Sequence, residues 1–364
     1  MERKNAWLSY GEADETAMEK LAKDYRAFLD AGKTERECVT ELVREAEANG
    51  YVNLETKLAA GEKIQPGDKV YAVGMKKIMA LFHVGQEPLE KGMNILGAHI
   101  DSPRLDVKQN PLYENEELAY LDTHYYGGIK KYQWVTLPLA IHGVIAKKDG
   151  SVVEINIGEK PEDPVFGVSD LLIHLSGDQM EKKGAKVIEG EALDILVGSM
   201  PLEAKTEEEK KVKTLVQANV LKILKETYGV EEEDFLSAEI EIVPAGQARD
   251  YGFDRSMIMG YGHDDRVCAY PSFSAIMEME APERTSVCLL VDKEEIGSVG
   301  ATGMQSRFFE NMTAEVMNAC GDYCELKLRR ALQNSKVLSS DVSAAFDPNY
   351  PSVMEKKNAA YFGR

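Results

Sequence analysis

The sequence predicts an α/β fold: a mostly parallel sheet covered by helices, with a β-rich domain inserted into it. Three observations carry this. Residues 93–98 and Ser286–Val291 are short, nearly continuous apolar runs, the composition of strands buried on both faces. Such runs alternate with amphipathic helical patterns in both outer parts of the chain, which is the signature of an α/β domain. Between them the character changes to tyrosines, paired glycines and short apolar segments broken by charged turns, as at residues 146–150. The expected organisation is one discontinuous domain, 1–108 plus 246–364, and an inserted domain, 109–245.

The elements follow in order. Thr16-Ala-Met-Glu19 is a capping-box pattern, followed by Met18, Leu21, Tyr25, Phe28 and Leu29 at helical spacing. After Gly32, Thr34-Glu-Arg-Glu37 opens a second helix with Val39, Leu42, Val43 and Ala46, and Asn49-Gly50 stops it. Both helices are expected to cover one face of a sheet. Residues 70–73 and 77–84 read as strands joined by a turn at Gly74. The run 93–98 ends at His99-Ile100-Asp101. Residues 111–200 read as β-rich hairpins. A long helix is expected from near Thr206 to Gly229, with Val212, Leu215, Val216, Val220 and Leu224 on one face, and residues 238–244 alternate like a strand. A helix bearing Val267, Tyr270, Phe273 and Ile276 precedes Ser286–Val291. A helical stretch over 310–332 leads into a short strand at 336–338.

Composition narrows the function. A formal charge of −19 over 364 residues argues against a nucleic-acid partner and against docking on an anionic membrane. No apolar run approaches the roughly 20 residues of a membrane span. The opening residues lack an apolar leader, so a cytoplasmic protein is expected. The five cysteines are odd in number and scattered, as reduced thiols would be. Cys320 and Cys324, spaced i, i+4, fit one helix face and not a metal or redox motif.

Four clusters stand at expected strand ends or the loops beside them: His99 with Asp101, Asp264 with Asp265, Glu294 with Glu295, and Asp341 after two serines. Ligands of open α/β sheets bind outside the carboxyl ends of the strands, so these groups are expected to meet. Singly, each has a plainer role: His99 a satisfied half-buried histidine, Asp264 a helix cap, the glutamates a solvated turn, Asp341 a loop residue. Four at successive strand ends favour a metal site. One imidazole with several carboxylates suits Zn²⁺, with Mn²⁺ or Co²⁺ as alternatives. Asp101, two residues past His99, can hydrogen-bond the far imidazole nitrogen.

Gly97-Ala-His-Ile-Asp-Ser-Pro-Arg-Leu105, Gly262-His-Asp-Asp-Arg266, Asp292-Lys-Glu-Glu-Ile-Gly-Ser298 and Ser339-Ser-Asp-Val-Ser343 occur in that order. As a set they resemble the aspartyl aminopeptidase family of two-zinc metallopeptidases, in a bacterial branch. The resemblance implies that His99 and Asp341 bind one metal, that Asp264 bridges two, and that Glu295 binds the second. It makes Glu294 the general base and Asp101 the residue that orients His99. It implies a dimerisation domain in the inserted span, homo-oligomers built from dimers, and tetrahedral dodecamers with enclosed active sites. Taken alone His174 reads as a core histidine within a strand. By resemblance it belongs to a segment, residues 171–175, that reaches a neighbouring subunit's active site.

Two departures stand out. The family's second metal takes a further histidine near the C-terminus, and no histidine follows His263 here; it is expected beyond Arg364, the alternative being a weakly held second metal. Many aspartyl-specific members have histidine where this chain has Asp347, a departure that counts against a preference for acidic N-terminal residues; Lys356 and Lys357 could still offer cations to an acidic side chain, although lysines in such a place are usually solvent-exposed. The expected reaction is hydrolysis of the N-terminal peptide bond of short peptides. The alternatives are a related two-metal amide hydrolase or exopeptidase, and an inactive assembly protein of the same fold.

Overall fold

The computed structural model describes residues 4–206 and 209–364. Residues 1–3, and Glu207 and Glu208 in the helix expected from Thr206, lie outside the described residues. The chain forms two compact units, one of residues up to Asp101 with Ala248–Arg364, the other Ser102–Gln247.

The first unit holds a six-stranded sheet in the order Val52–Asn53, Lys69–Gly74, Ile78–His83, Ser286–Val291, Asn94–His99, Lys336–Ser339. It is mixed: three strand pairings are parallel and two antiparallel. Successive residues of a strand face opposite sides; in the inner strands both sides are buried, while the edge strand Lys336–Ser339 is exposed along its length. Tyr71, Met79, Leu81, Ala98, Cys288 and Leu290 pack with the helices Glu12–Ala31, Glu35–Ala48 and His263–Met277. Val70, Ala80, Phe82, Ile95, Val287 and Leu289 pack with Phe308–Ala319 and Glu325–Asn334. Cover on both sides is why these strands read as unbroken apolar runs rather than alternating ones.

The parallel half of the sheet matters most. Val291 pairs with His99, and Ser339 with Gly97, so three neighbouring strands end together. The Ser340 N–H extends the pairing to the Gly97 carbonyl at 2.8 Å, delivering Asp341 to that same end.

Several local expectations are corrected. Thr16 lies inside a helix that begins at Glu12, because the Asp14 carboxylate already accepts from the Gly11 N–H at 3.0 Å. The second capping box forms as read, with Glu37 accepting from the Thr34 N–H at 3.0 Å. The stretch 310–332 is two helices, broken where Gly321 takes a left-handed φ of 76°. Cys320 and Cys324 therefore flank that break instead of sharing a helix face.

The second unit is a six-stranded, wholly antiparallel sheet: Val152–Ile157, Leu139–Ala146, Ala238–Pro244, Arg104–Asn115, Leu118–Tyr126, Ile195–Gly198. Its core, with Leu105, Ile141 and Ile242, takes in Val216, Val220 and Leu224 from the helix Leu215–Tyr228. That helix starts later than Thr206; the chain ahead of it has a 3₁₀ turn at Glu209–Lys211. Between Val168 and Leu193 the chain runs in 3₁₀ turns and one short helix rather than strands. All five cysteines are free thiols, Cys38 and Cys288 buried. Among the described residues no helix is long and apolar enough to cross a membrane.

Candidate metal centre

The centre is built around His99, the last residue of the strand Asn94–His99 and almost fully buried. Its Nδ1 lies 3.0 Å from the Asp101 carbonyl oxygen and 3.2 Å from Asp101 Oδ1. A carbonyl only accepts, so Nδ1 carries the proton, an assignment made from the hydrogen-bond network. Nε2 is then the nitrogen that points into the site. It is buried without a hydrogen-bond partner, 3.2 Å from Asp264 Oδ1 and 3.6 Å from Glu294 Oε2.

Asp101 is fully buried and serves two arms of the site at once. Besides meeting the His99 ring, its two oxygens accept from the Glu294 and Glu295 N–H groups, each at 3.2 Å. Those glutamates open a 3₁₀ turn, Glu294–Ile296, entered through Lys293 at φ 71°. Asp292, just before it, is buried and accepts from the Thr302 hydroxyl at 2.6 Å and the Lys293 N–H at 2.7 Å. The turn is thus held from both sides while the Glu294 side chain stays 46% exposed.

Asp264 and Asp265 stand at the head of the helix His263–Met277, both with non-helical backbone. Asp264 is 56% exposed on its side chain, whereas Asp265 is wholly buried and neither of its oxygens has a hydrogen-bond partner by distance and angle. Donor atoms of His99, Asp265 and Asp341 lie within 4.8 Å of one another. The sequence points to the pair and, by resemblance, to Asp264 as the ligand; that Asp265 is the buried member carries no sequence signal, since two adjacent aspartates do not disclose which one turns in.

Electrostatics reflect the crowding of acceptors. Burial alone would lower the His99 imidazole; the hydrogen bond and charge of Asp101, with Asp265 and Glu294, outweigh it and hold the group at about 9. Burial, with Asp264 and Asp101 adding to it, raises Glu295 to about 7. Asp265 rises to about 6, chiefly by burial, with the Cys268 thiol and His99 pulling the other way. Uncompensated buried acceptors facing one another are costly, and a cation among them removes that cost. The donor set, one imidazole and several carboxylates, suits zinc.

The other two histidines of the first unit do not compete for this role. His263, next to Asp264, has both ring nitrogens engaged, Nδ1 with the Tyr25 hydroxyl at 2.9 Å and Nε2 with the Ile258 carbonyl at 3.1 Å. His83 pairs with Ser286, at the opposite end of the sheet. His174 is exposed in a 3₁₀ turn, Ile173–Leu175, of the second unit, which corrects its reading as a core strand residue. Lys356 and Lys357 are exposed in a turn, where the Lys356 carbonyl accepts from the Tyr361 hydroxyl at 2.7 Å.

Known proteins share this architecture. Residues 28–364 match the family described as aminopeptidase I zinc metalloprotease, M18. A Clostridium acetobutylicum protein described as a probable M18 family aminopeptidase 1 is 62% identical over 363 residues, covering 100% of this chain and 77% of that protein. The crystal structure of an M18-family aminopeptidase from Thermotoga maritima superposes with a TM-score of 0.91 at 44% identity, over 100% of this chain and 77% of that one. At 20% identity, a structure described as an S. cerevisiae mApe1 dodecamer shares the fold, with a TM-score of 0.74 over 95% of this chain and 76% of its own. The chain belongs to the M18 family of zinc metalloproteases and is a metallo-aminopeptidase.

Proposed function

We propose that this aminopeptidase removes N-terminal residues from short peptides at a two-zinc centre on the sheet end just described. The observation that carries this is the buried, unpartnered His99 Nε2 facing the carboxylates of Asp264 and Glu294. His99 and Asp341 would hold one ion, Glu295 the other, and Asp264 both. Asp264 suits the bridging role because it lies beside His99 and its charge also acts on Glu295. Asp265, buried with an oxygen near His99 and Asp341, would be a further donor to the first ion.

Bound zinc supplies Lewis acidity, polarising the scissile carbonyl and making water acidic enough to lose a proton near neutral pH. Glu294, exposed beside His99, takes that proton and returns it to the leaving amine. Asp101 keeps the His99 proton on Nδ1, so Nε2 stays a donor to metal.

Zinc uptake should strengthen with pH. Glu295 at about 7 and His99 at about 9 are both raised above their ordinary values, so at pH 6 both hold protons that must leave before an ion binds. Chelator competition should show tighter zinc at pH 8 than at pH 6; equal affinity would argue against these ligands.

Substrate preference and setting are part of the reading. We favour acidic N-terminal residues, with exposed Lys356 and Lys357 as candidate cations for the acidic side chain. A panel of aspartyl, glutamyl and leucyl peptides, with free and acetylated N-termini, tests both points. Aspartyl peptides should be cleaved faster than leucyl ones, and acetylated peptides should resist. Cleavage of acetylated peptides would point to a related amide hydrolase, and no cleavage by zinc-loaded protein to an inactive assembly protein. We assign the β-rich span 109–245 to dimerisation, and a dodecamer of such dimers to the whole. Leu172, Ile173 and Leu175, each more than half exposed, support an interface there. Light scattering that found only monomer would remove this part. Free thiols at all five cysteines accord with a cytoplasmic setting.

A further inference from the structure

We propose that Arg266 is a positioning residue: its guanidinium ties the segment bearing Asp264 and Asp265 to the peptide between His99 and Asp101, and so sets the spacing of the arms of the metal centre. The proposal rests on the metal-centre reading above.

Arg266 is 1% exposed and heads the fully buried side chains by volume. Its Nε donates to the Ile100 carbonyl at 3.2 Å and an Nη to the Lys33 carbonyl at 3.0 Å. The Ile100 N–H in turn donates to the Val291 carbonyl at 2.9 Å. One residue, Ile100, thereby joins all three arms through its N–H and its carbonyl. The helix head with the two aspartates reaches it through Arg266, the His99–Asp101 strand end contains it, and the strand that leads into Glu294–Glu295 holds its N–H.

The chemistry suits positioning rather than filling. A guanidinium is costly to bury, and apolar side chains of similar volume fill such space with equal or better stability. What the apolar replacement lacks is a rigid planar fork able to bond two carbonyls in fixed directions. The chain also makes room for it. Gly262 adopts φ 87°, and a Cβ there would run into the Arg266 guanidinium. The ring of Tyr261 lies 5.4 Å from the guanidinium carbon. Groups beyond the immediate ligands that orient them are typically worth about 10–100-fold in metal affinity.

The test compares wild type with Arg266→Met and Arg266→Lys. Each is stripped of metal and titrated with zinc in competition with a chelator, and with cobalt by visible absorption. Far-UV circular dichroism and thermal melts show which proteins are folded at the titration temperature. Arg266→Met should stay folded, bind zinc about 10–100-fold more weakly and show an altered cobalt spectrum. Arg266→Lys, which keeps the charge without the fork, should lose about tenfold. A folded Arg266→Met protein with wild-type affinity and cobalt spectrum would overturn the proposal. Should Arg266→Met fail to fold, Arg266→Lys decides: wild-type affinity and spectrum overturn it, and a tenfold loss supports it. Wild-type protein that takes up no ion would instead sink the metal-centre reading, and the clamp with it.

Discussion

Glu294→Gln should keep its metal and lose nearly all activity. Glutamine has the size and shape of glutamate but cannot hold a proton taken from water. The backbone of the turn does not depend on the exchanged atoms. The Glu294 N–H bonds Asp101 and its carbonyl accepts from the Gly297 N–H at 2.8 Å, whichever side chain is present. At 46% exposed the side chain also contributes little packing. General-base catalysis is typically worth about 10²–10⁴-fold, so kcat should fall by about that factor with KM and zinc content near wild type. Glu295→Gln provides the contrast, since loss of a proposed ligand should lower bound zinc first. A Glu294→Gln enzyme within tenfold of wild type would place the base elsewhere. Lost zinc in that variant would make Glu294 a ligand.

The same residues show what a sequence can and cannot disclose. His99 and Glu294 are legible because one ends and the other closely follows a strand whose composition is visible: Asn94–His99 and Ser286–Val291 are largely buried on both faces and so nearly uniformly apolar, whereas Asp341 follows the short, exposed strand Lys336–Ser339. Parallel pairing then brings their ends together without further information. Asp265 was not legible. Its inward turn depends on Gly262 at φ 87° and on the non-helical backbone of Asp264 and Asp265, a local conformation that periodicity does not encode. The break at Gly321 was hidden in a different way, because apolar spacing continues across it from Val316 and Met317 to Leu328. Residues 111–200 read as β-rich, yet residues between Val168 and Leu193 take irregular turns with only scattered burial. Repeated capping patterns mislead in their own way. Thr16-x-x-Glu19 matches the motif as well as Thr34-x-x-Glu37 does, but an earlier start at Glu12 had already nucleated the helix through it.

Asp101→Ala should cost metal affinity and stability together, and by more than any other change to a residue that is not itself a ligand. The carboxylate joins two arms: on one side it meets the His99 ring, on the other it accepts from the Glu294 and Glu295 N–H groups. Alanine leaves those two part-buried donors without this acceptor, and an orphaned donor costs up to about 1–3 kcal/mol where water cannot replace the acceptor. It also frees the imidazole to turn, so Nε2 no longer points reliably at Asp264. Zinc should bind about 10–100-fold more weakly, the usual effect of removing a carboxylate behind a metal-binding histidine. Asp101→Asn separates the two functions. The amide keeps the volume and one acceptor, but its NH₂ must face either a backbone N–H or the Nδ1 proton, where carboxylate oxygens stood. Asparagine should therefore restore much of the thermal stability that alanine loses while zinc affinity stays depressed. If Asp101→Asn binds zinc as wild type does, His99 is oriented by the Asp101 carbonyl alone, and the carboxylate serves only the Glu294–Glu295 turn.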